Sequence, residues 1–317
     1  LAASEIGSPR TTGSTDGLSL DLSSDIFKMV APIASEHPSV LVEPLNLQFV
    51  FNVAAGDKCL GPQIIESESL LKKPVPASAP NSVCERLIEE YGAVFAAEDG
   101  VITPPDCTFD SAAEVREFNS SLDLRKTTIG GKSVELQAPA LTALAEAEAE
   151  AKSEKLHITP ADKKVASLRT YEATVELWKT RVDPALKYWQ AHKRLDPESA
   201  EAIRSMPVKE QIEAVLKLEE EDIYFSKNFK KSILQSVAAP GSSQHLVGLA
   251  VDIQEHANPE VRSILNKHGW FQTVRSDLPH FTYLGLNESE LPSRGLQLVE
   301  SGQRRFWIRK PVEEKHE

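Results

Sequence analysis

Long apolar runs are missing from this sequence. Nothing in it approaches the ~18 consecutive apolar residues that a membrane-spanning helix needs, so no segment reads as a span. Positive charge is also in short supply. Lys and Arg number 35 against 47 Asp and Glu, a formal net charge of -12. A general nucleic-acid binder needs clustered cations to neutralise phosphates, so that class is disfavoured. Cysteine is scarce: Cys59, Cys84 and Cys107 are all there are, and all lie in the first third of the chain. An odd count allows at most one intramolecular disulfide and leaves one thiol. In an oxidising compartment Cys59–Cys84 is the expected pair, and three small buried side chains are the alternative. The first residues, Leu1-Ala2-Ala3-Ser4, have neither Met nor the charged-then-apolar pattern of a signal peptide, and read as a mature or trimmed terminus.

What is present is an ordinary globular composition, 41% hydrophobic and 26% charged, in a chain of 317 residues long enough for a large core and two domains. Residues 1–25 are rich in Ser, Gly and Thr and read as a flexible tail. Residues 26–125 read as an accessory α/β domain with its own core. It has a strand at Leu45–Phe51, a capped helix from Asn81 to Tyr91, a short buried strand at Ala93–Ala97 and a helix opening at Asp110. Residues 126–317 read as a second domain. Thr127 to Leu136 is expected to be a hairpin turning at Gly130-Gly131. A helix should run from Pro139 to about Lys155; its Ala-Glu repeat is a solvated face of high helix propensity. A further helix from Tyr171 to Arg181 puts Arg169 at or just before a helix N-terminus, where free amide groups also favour anions. Helices at Lys187–Leu195 and Val208–Leu218, broken by Pro197 and Pro207, suggest a helical insertion at about 184–236. Asn258 to His268 should be a helix packed on the Val251 strand through Val261, Ile264 and Leu265. Arg304–Ile308 reads as a last strand.

The chemistry is concentrated late in the chain, in Ser243-Gln244-His245-Leu246-Val247-Gly248-Leu249-Ala250-Val251-Asp252 and Asp277-Leu278-Pro279-His280-Phe281. His245, Asp252 and His280 make a three-ligand zinc set, which leaves the fourth tetrahedral position open for water as catalytic sites do. Leu249, Val251 and Ile253 alternate with Ala250 and Asp252, so this piece reads as a strand. A turn through Gly248 lets His245 and Asp252 converge. A surface His–Asp pair or a satisfied core histidine is the alternative.

Ser-x-His-x-x-Gly-x-Ala-x-Asp followed by acid-x-x-His-Phe-x-Tyr-x-Gly resembles the signature of the zinc D-alanyl-D-alanine carboxypeptidases of the VanY and VanX type. The resemblance covers roughly residues 135–285. It implies an α+β fold, a small antiparallel sheet packed by helices as in the hedgehog/DD-peptidase group, here with the N-terminal α/β accessory domain added. It implies zinc as cofactor, held by His245, Asp252 and His280, and peptidoglycan stem peptide as substrate, in a secreted or periplasmic setting. It implies that Arg169, in Ser167-Leu168-Arg169-Thr170, holds the substrate's terminal carboxylate, although Leu168 stands where the family has Tyr. The catalytic base of the family is a Glu three residues before the last His; here the position holds Asp277, and Pro279 replaces the usual Trp. Ser243 is a candidate to hydrogen-bond substrate, with a turn serine as the alternative. His256 and His268 are placed outside the ligand set. Because of the two departures, a zinc-bearing binding protein of the cell wall that has lost hydrolysis stays open as an alternative, as does a stem-peptide endopeptidase.

Overall fold

The computed structural model describes residues 83–161 and 166–310. The tail over 1–25, the strand at Leu45–Phe51 and Cys59 lie outside the described residues. Within them the architecture is α+β: helices laid against small antiparallel sheets.

The chain enters as helix α1 (Val83–Tyr91), which turns its Leu87, Ile88 and Tyr91 face inward. The strand expected at Ala93–Ala97 is absent: Gly92–Ala96 is a 3₁₀ turn that carries α1 onward, with all five residues buried. A short apolar run has no periodicity to tell a strand from a buried helical turn. Helix α2 (Ala112–Ser120) opens on Ser111, whose side chain accepts from the Glu114 amide. Strands β1 (Leu124–Ile129) and β2 (Lys132–Gln137) form the expected hairpin. Both turn residues, Gly130 and Gly131, have positive φ, which glycine adopts without steric cost. Helix α3 (Ala138–Ser153) buries Ala140, Leu141, Leu144, Ala147 and Ala151; Glu146 is exposed, while Glu148 and Glu150 are half-buried and Glu148 accepts from the Gly130 amide at 2.6 Å.

Helix α4 (Tyr171–Ala191) continues through Pro184, so the two helices expected on either side of residue 184 are one. Proline removes one backbone donor and orphans the carbonyl four residues back. That carbonyl belongs to Thr180, and the Arg181 guanidinium reaches it at 3.5 Å. The burial of Trp178, Val182, Ala185 and Leu186 on one side holds the helix continuous. Pro197 does not break a helix but begins one, α5 (Pro197–Ser205), behind an Asp196 cap. Helix α6 (Val208–Glu219) follows Pro207.

The central sheet has the order β3–β5–β4, from β3 (Ala250–Asp252), β5 (His280–Tyr283) and β4 (Trp270–Phe271), all antiparallel. Helix α7 (Pro259–Lys267), between β3 and β4, buries Val261, Ile264 and Leu265 in the same apolar cluster as Val251, as expected. A hairpin of β6 (Leu296–Ser301) and β7 (Arg304–Arg309) ends the described chain.

Two apolar clusters result. One gathers the central sheet, α3, α7 and the β1–β2 hairpin; the other gathers α4, α5 and α6 around Trp178 and Phe225. The described part of the expected accessory domain, residues 83–125, has no core to itself. Val94, Phe95, Phe109 and Val115 belong to the sheet cluster, and Leu87 and Tyr91 to the helical one.

The disulfide joins Cys84 to Cys107, not Cys59 to Cys84. Cys107 is also the nearer partner in sequence, 23 residues away. Closing a loop of that size restricts the unfolded chain and is worth roughly 2–4 kcal/mol. With three cysteines in the sequence, thiol titration of unreduced, denatured protein should therefore find one free thiol per chain. Replacing both Cys84 and Cys107 by Ser should lower unfolding stability by about that amount. Three titratable thiols, or an unchanged denaturation midpoint, would count against the pairing.

Candidate metal centre and its cleft

Asp252 and His280 are brought together by strand register: in the β3–β5 ladder they are direct Cα partners. His245 arrives from a different element, a 3₁₀ turn over Gln244–Val247 that ends on Gly248 at φ 67°. A side chain at 248 would be strained in that conformation. It would also meet the Gln137 nitrogen at 3.1 Å and the Leu136 Cα at 3.3 Å, because β2 packs directly on the turn. The Gln137 amide donates to the Gly248 carbonyl at 3.1 Å and fixes that approach.

The three donor atoms form a nearly regular triangle. His245 Nε2 lies 3.1 Å from His280 Nδ1 and 3.5 Å from Asp252 Oδ1, and His280 Nδ1 lies 3.6 Å from Asp252 Oδ1. Four-coordinate zinc with bonds of about 2.0–2.2 Å places neighbouring donors about 3.3–3.5 Å apart, so the edges match a tetrahedral face. All three residues are buried.

Hydrogen bonding decides which imidazole nitrogens carry protons. His245 Nδ1 lies 2.8 Å from the Ser167 carbonyl, an obligate acceptor, so it is protonated and Nε2 keeps its lone pair. For His280 the partner is Gln244. The Gln244 Nε2 donates to the Tyr91 carbonyl at 2.7 Å, which turns the amide oxygen toward His280 Nε2, also at 2.7 Å. Thr282 donates its hydroxyl to the same oxygen. His280 Nε2 is therefore the protonated nitrogen, and Nδ1 presents a lone pair to His245 Nε2. Two lone pairs facing each other at 3.1 Å repel unless a cation lies between them. The donor set thus fits a metal such as zinc.

Electrostatics favour the ligand forms. Burial, reinforced by the Arg169 charge, depresses the His245 pKa to about 4, so its ring is neutral at ordinary pH. Burial opposes a charged Asp252, yet its carboxyl is held below its usual range. Arg169 Nη2 lies 2.6 Å from Asp252 Oδ2, leaving Oδ1 on the imidazole side. Arg169 stands just before α4, whose cap is Thr170, and its amide donates to the His245 carbonyl at 3.0 Å.

A cleft of about 340 Å³ opens over the histidines, lined among others by Tyr91, Arg169, Ser243, His245, Asp277 and His280. Asp277 sits half-buried in the turn before β5, where its carbonyl accepts from the His280 amide at 3.1 Å. Ser243 precedes the 3₁₀ turn without capping it through its side chain and is among the residues lining the cleft. His256 and His268 are elsewhere, beside Arg304 and Glu150 respectively.

Gln244, Tyr91 and Thr282 escaped sequence reasoning. Gln244 sits between two motif residues and nothing in its neighbours marks it. Gln244→Leu should lower zinc affinity about 10–100-fold, the usual effect of removing a partner that orients a ligand. Gln244→Glu, which keeps an acceptor for His280 Nε2, should lose less. Chelator competition reads both, and nitrogen NMR of the metal-free protein reads the His280 tautomer. Wild-type affinity in Gln244→Leu would remove the positioning role.

Among known proteins, residues 133–286 match the family model described as VanY, D-alanyl-D-alanine carboxypeptidase. No curated protein matches the chain. Among solved structures, a mutant of the vancomycin-resistance D,D-pentapeptidase VanY from a VanB-type cassette, in complex with Zn(II), is similar at 17% identity. That similarity covers 52% of this chain and 82% of the other, with a TM-score of 0.30. The stretch matched by the family model, just under half of the chain, contains His245, Asp252, His280, Arg169 and Asp277.

Proposed function

We propose that this protein is a zinc-dependent D,D-carboxypeptidase that removes the terminal D-alanine from D-Ala-D-Ala ends of peptidoglycan stem peptides. The triangle of His245, Asp252 and His280 donor atoms beneath a cleft that Arg169 and Asp277 also line carries this reading. The Cys84–Cys107 disulfide supports action outside the cytoplasm, where such bonds persist.

His245 Nε2, His280 Nδ1 and Asp252 Oδ1 would hold the metal. Bound there, zinc supplies Lewis-acid polarisation of a carbonyl and acidification of water. Asp277 takes the proton of the attacking water as its oxygen adds to the scissile carbonyl carbon. It then delivers that proton to the amide nitrogen as the C–N bond breaks. Ser243 donates its hydroxyl to a peptide carbonyl. Arg169 directs positive charge at the carboxylate of the departing residue, a group that an internal peptide bond lacks. Its bond to Asp252 gives it a second task, holding a metal ligand.

The direct test is D-alanine release from a peptide ending in D-Ala-D-Ala. Release should require zinc, stop with chelator and return on zinc addition. In Asp277→Asn zinc should stay bound while turnover falls about 10²–10⁴-fold, the usual worth of a positioned general base. Asp277→Glu shows whether the turn tolerates the longer arm. Wild type and Asp277→Asn indistinguishable on every such peptide would hand the site to the binding-protein reading.

Arg169→Ala should have two separable effects. Loss of the partner of Asp252 should weaken zinc, which added metal offsets. At saturating zinc, the remaining loss should fall on free-acid substrates by about 2–5 kcal/mol in kcat/KM, the cost of truncating one partner of a buried charge pair, and spare amidated ones. Equal losses on both would confine Arg169 to its task at Asp252.

A further inference from the structure

The cleft has a second guanidinium. Arg181, on α4, lines it together with Arg169, His245 and His280. Its Nε donates to the Ser236 hydroxyl at 2.7 Å and its Nη1 to the Thr180 hydroxyl at 2.7 Å. These neutral groups set its direction without neutralising it, and no carboxylate pairs with it among the described residues. Arg169, by contrast, is bonded to Asp252. A half-buried, oriented cation with no counter-charge, in a protein of net charge -12, is suited to an anion brought by the substrate.

Helix geometry says which anion. Eleven residues separate the Thr170 cap from Arg181, about 16 Å along the helix axis. Arg169 abuts the ligand Asp252 and therefore faces the residue next to the scissile bond. Arg181 stands beyond the reach of that residue. Extended peptide advances about 3.3–3.6 Å per residue, and an arginine side chain covers part of the distance, so the spacing corresponds to about two or three residues.

Resting on the carboxypeptidase reading, we infer that Arg181 is a specificity residue that binds a carboxylate two or three residues N-terminal to the scissile bond. The preferred substrate is then a peptide acidic at that place, not merely one with the right terminus.

The test compares peptides ending in D-Ala-D-Ala that carry Glu or Gln two or three positions before the scissile bond. Wild type should show a KM about tenfold lower for the acidic member, in keeping with a hydrogen-bonded charge pair. In Arg181→Gln that ratio should approach one, and in Arg181→Lys it should be intermediate. The ratio is internal to each variant, so general damage cancels. No preference in wild type, or a preference surviving in Arg181→Gln, overturns the inference. So does a variant that loses discrimination between free-acid and amidated termini instead, since Arg181 would then hold the terminal carboxylate. If no peptide releases D-alanine, the hydrolase reading fails separately. Calorimetric titration with the same peptides then decides: an acidic preference lost in Arg181→Gln upholds the subsite, and equal binding of both peptides overturns it.

Discussion

Two imidazole lone pairs held 3.1 Å apart in a buried site repel, and holding them there takes bonds from four separate parts of the chain. Ser167 fixes His245 from the segment before α4; Gln244 fixes His280 while itself held by the carbonyl that ends α1. Strand register adds Asp252, and Arg169 holds that carboxylate from behind. Each restraint acts on a nitrogen or oxygen that is not a donor to the metal, which leaves the donor atoms pointing inward. Without a cation the arrangement costs free energy; with one the same preorganisation becomes affinity.

This explains why α1 matters to a centre more than 150 residues further along the chain. Tyr91 ends α1, accepts from the Gln244 side chain through its carbonyl, and donates its hydroxyl to the Leu234 carbonyl. It thereby joins the 3₁₀ turn bearing His245 to the helical cluster. The cleft lies along that seam, with the metal ligands on the sheet side and Leu177 and Arg181 on the α4 side. The helical layer is a wall of the site, so changes that repack α4 should reach substrate binding before they reach the metal.

What could be read from the sequence follows from how local the cause is. The hairpin, α2, α3, α7 and the last strand rest on turn glycines, caps and periodicity within a few residues, and all are present. The grouping of His245, Asp252 and His280 was legible because residue type and spacing carried it. Gln244 was not, since its role depends on Tyr91, 153 residues away. Pro184 inside α4 runs against a local rule that burial of Trp178 and Leu186 overrides. The partner of Cys84 is likewise a question of tertiary placement. Arg181 read from the sequence as the end of a helix; in the structure α4 continues past it to Ala191, and Arg181 lines the cleft.

On the proposed reading, in which Asp277 is the base, its short arm is the remaining constraint on chemistry. Relative to a glutamate it withdraws the carboxylate by about one C–C bond, roughly 1.5 Å. Misplacement of about 1 Å can cost about 100-fold in rate. Asp277 is not on a free loop, however. Its amide donates to the Val274 carbonyl at 3.2 Å and its carbonyl accepts from the His280 amide, so the turn is tied to the segment after β4 on one side and to the strand bearing His280 on the other. Pro279 stiffens the same turn by fixing its own φ and restricting the backbone of Leu278. A short side chain on a rigid turn can be as well aimed as a long one on a looser turn, because the backbone sets the reach. Asp277 and Pro279 thus belong to one turn and shape it together.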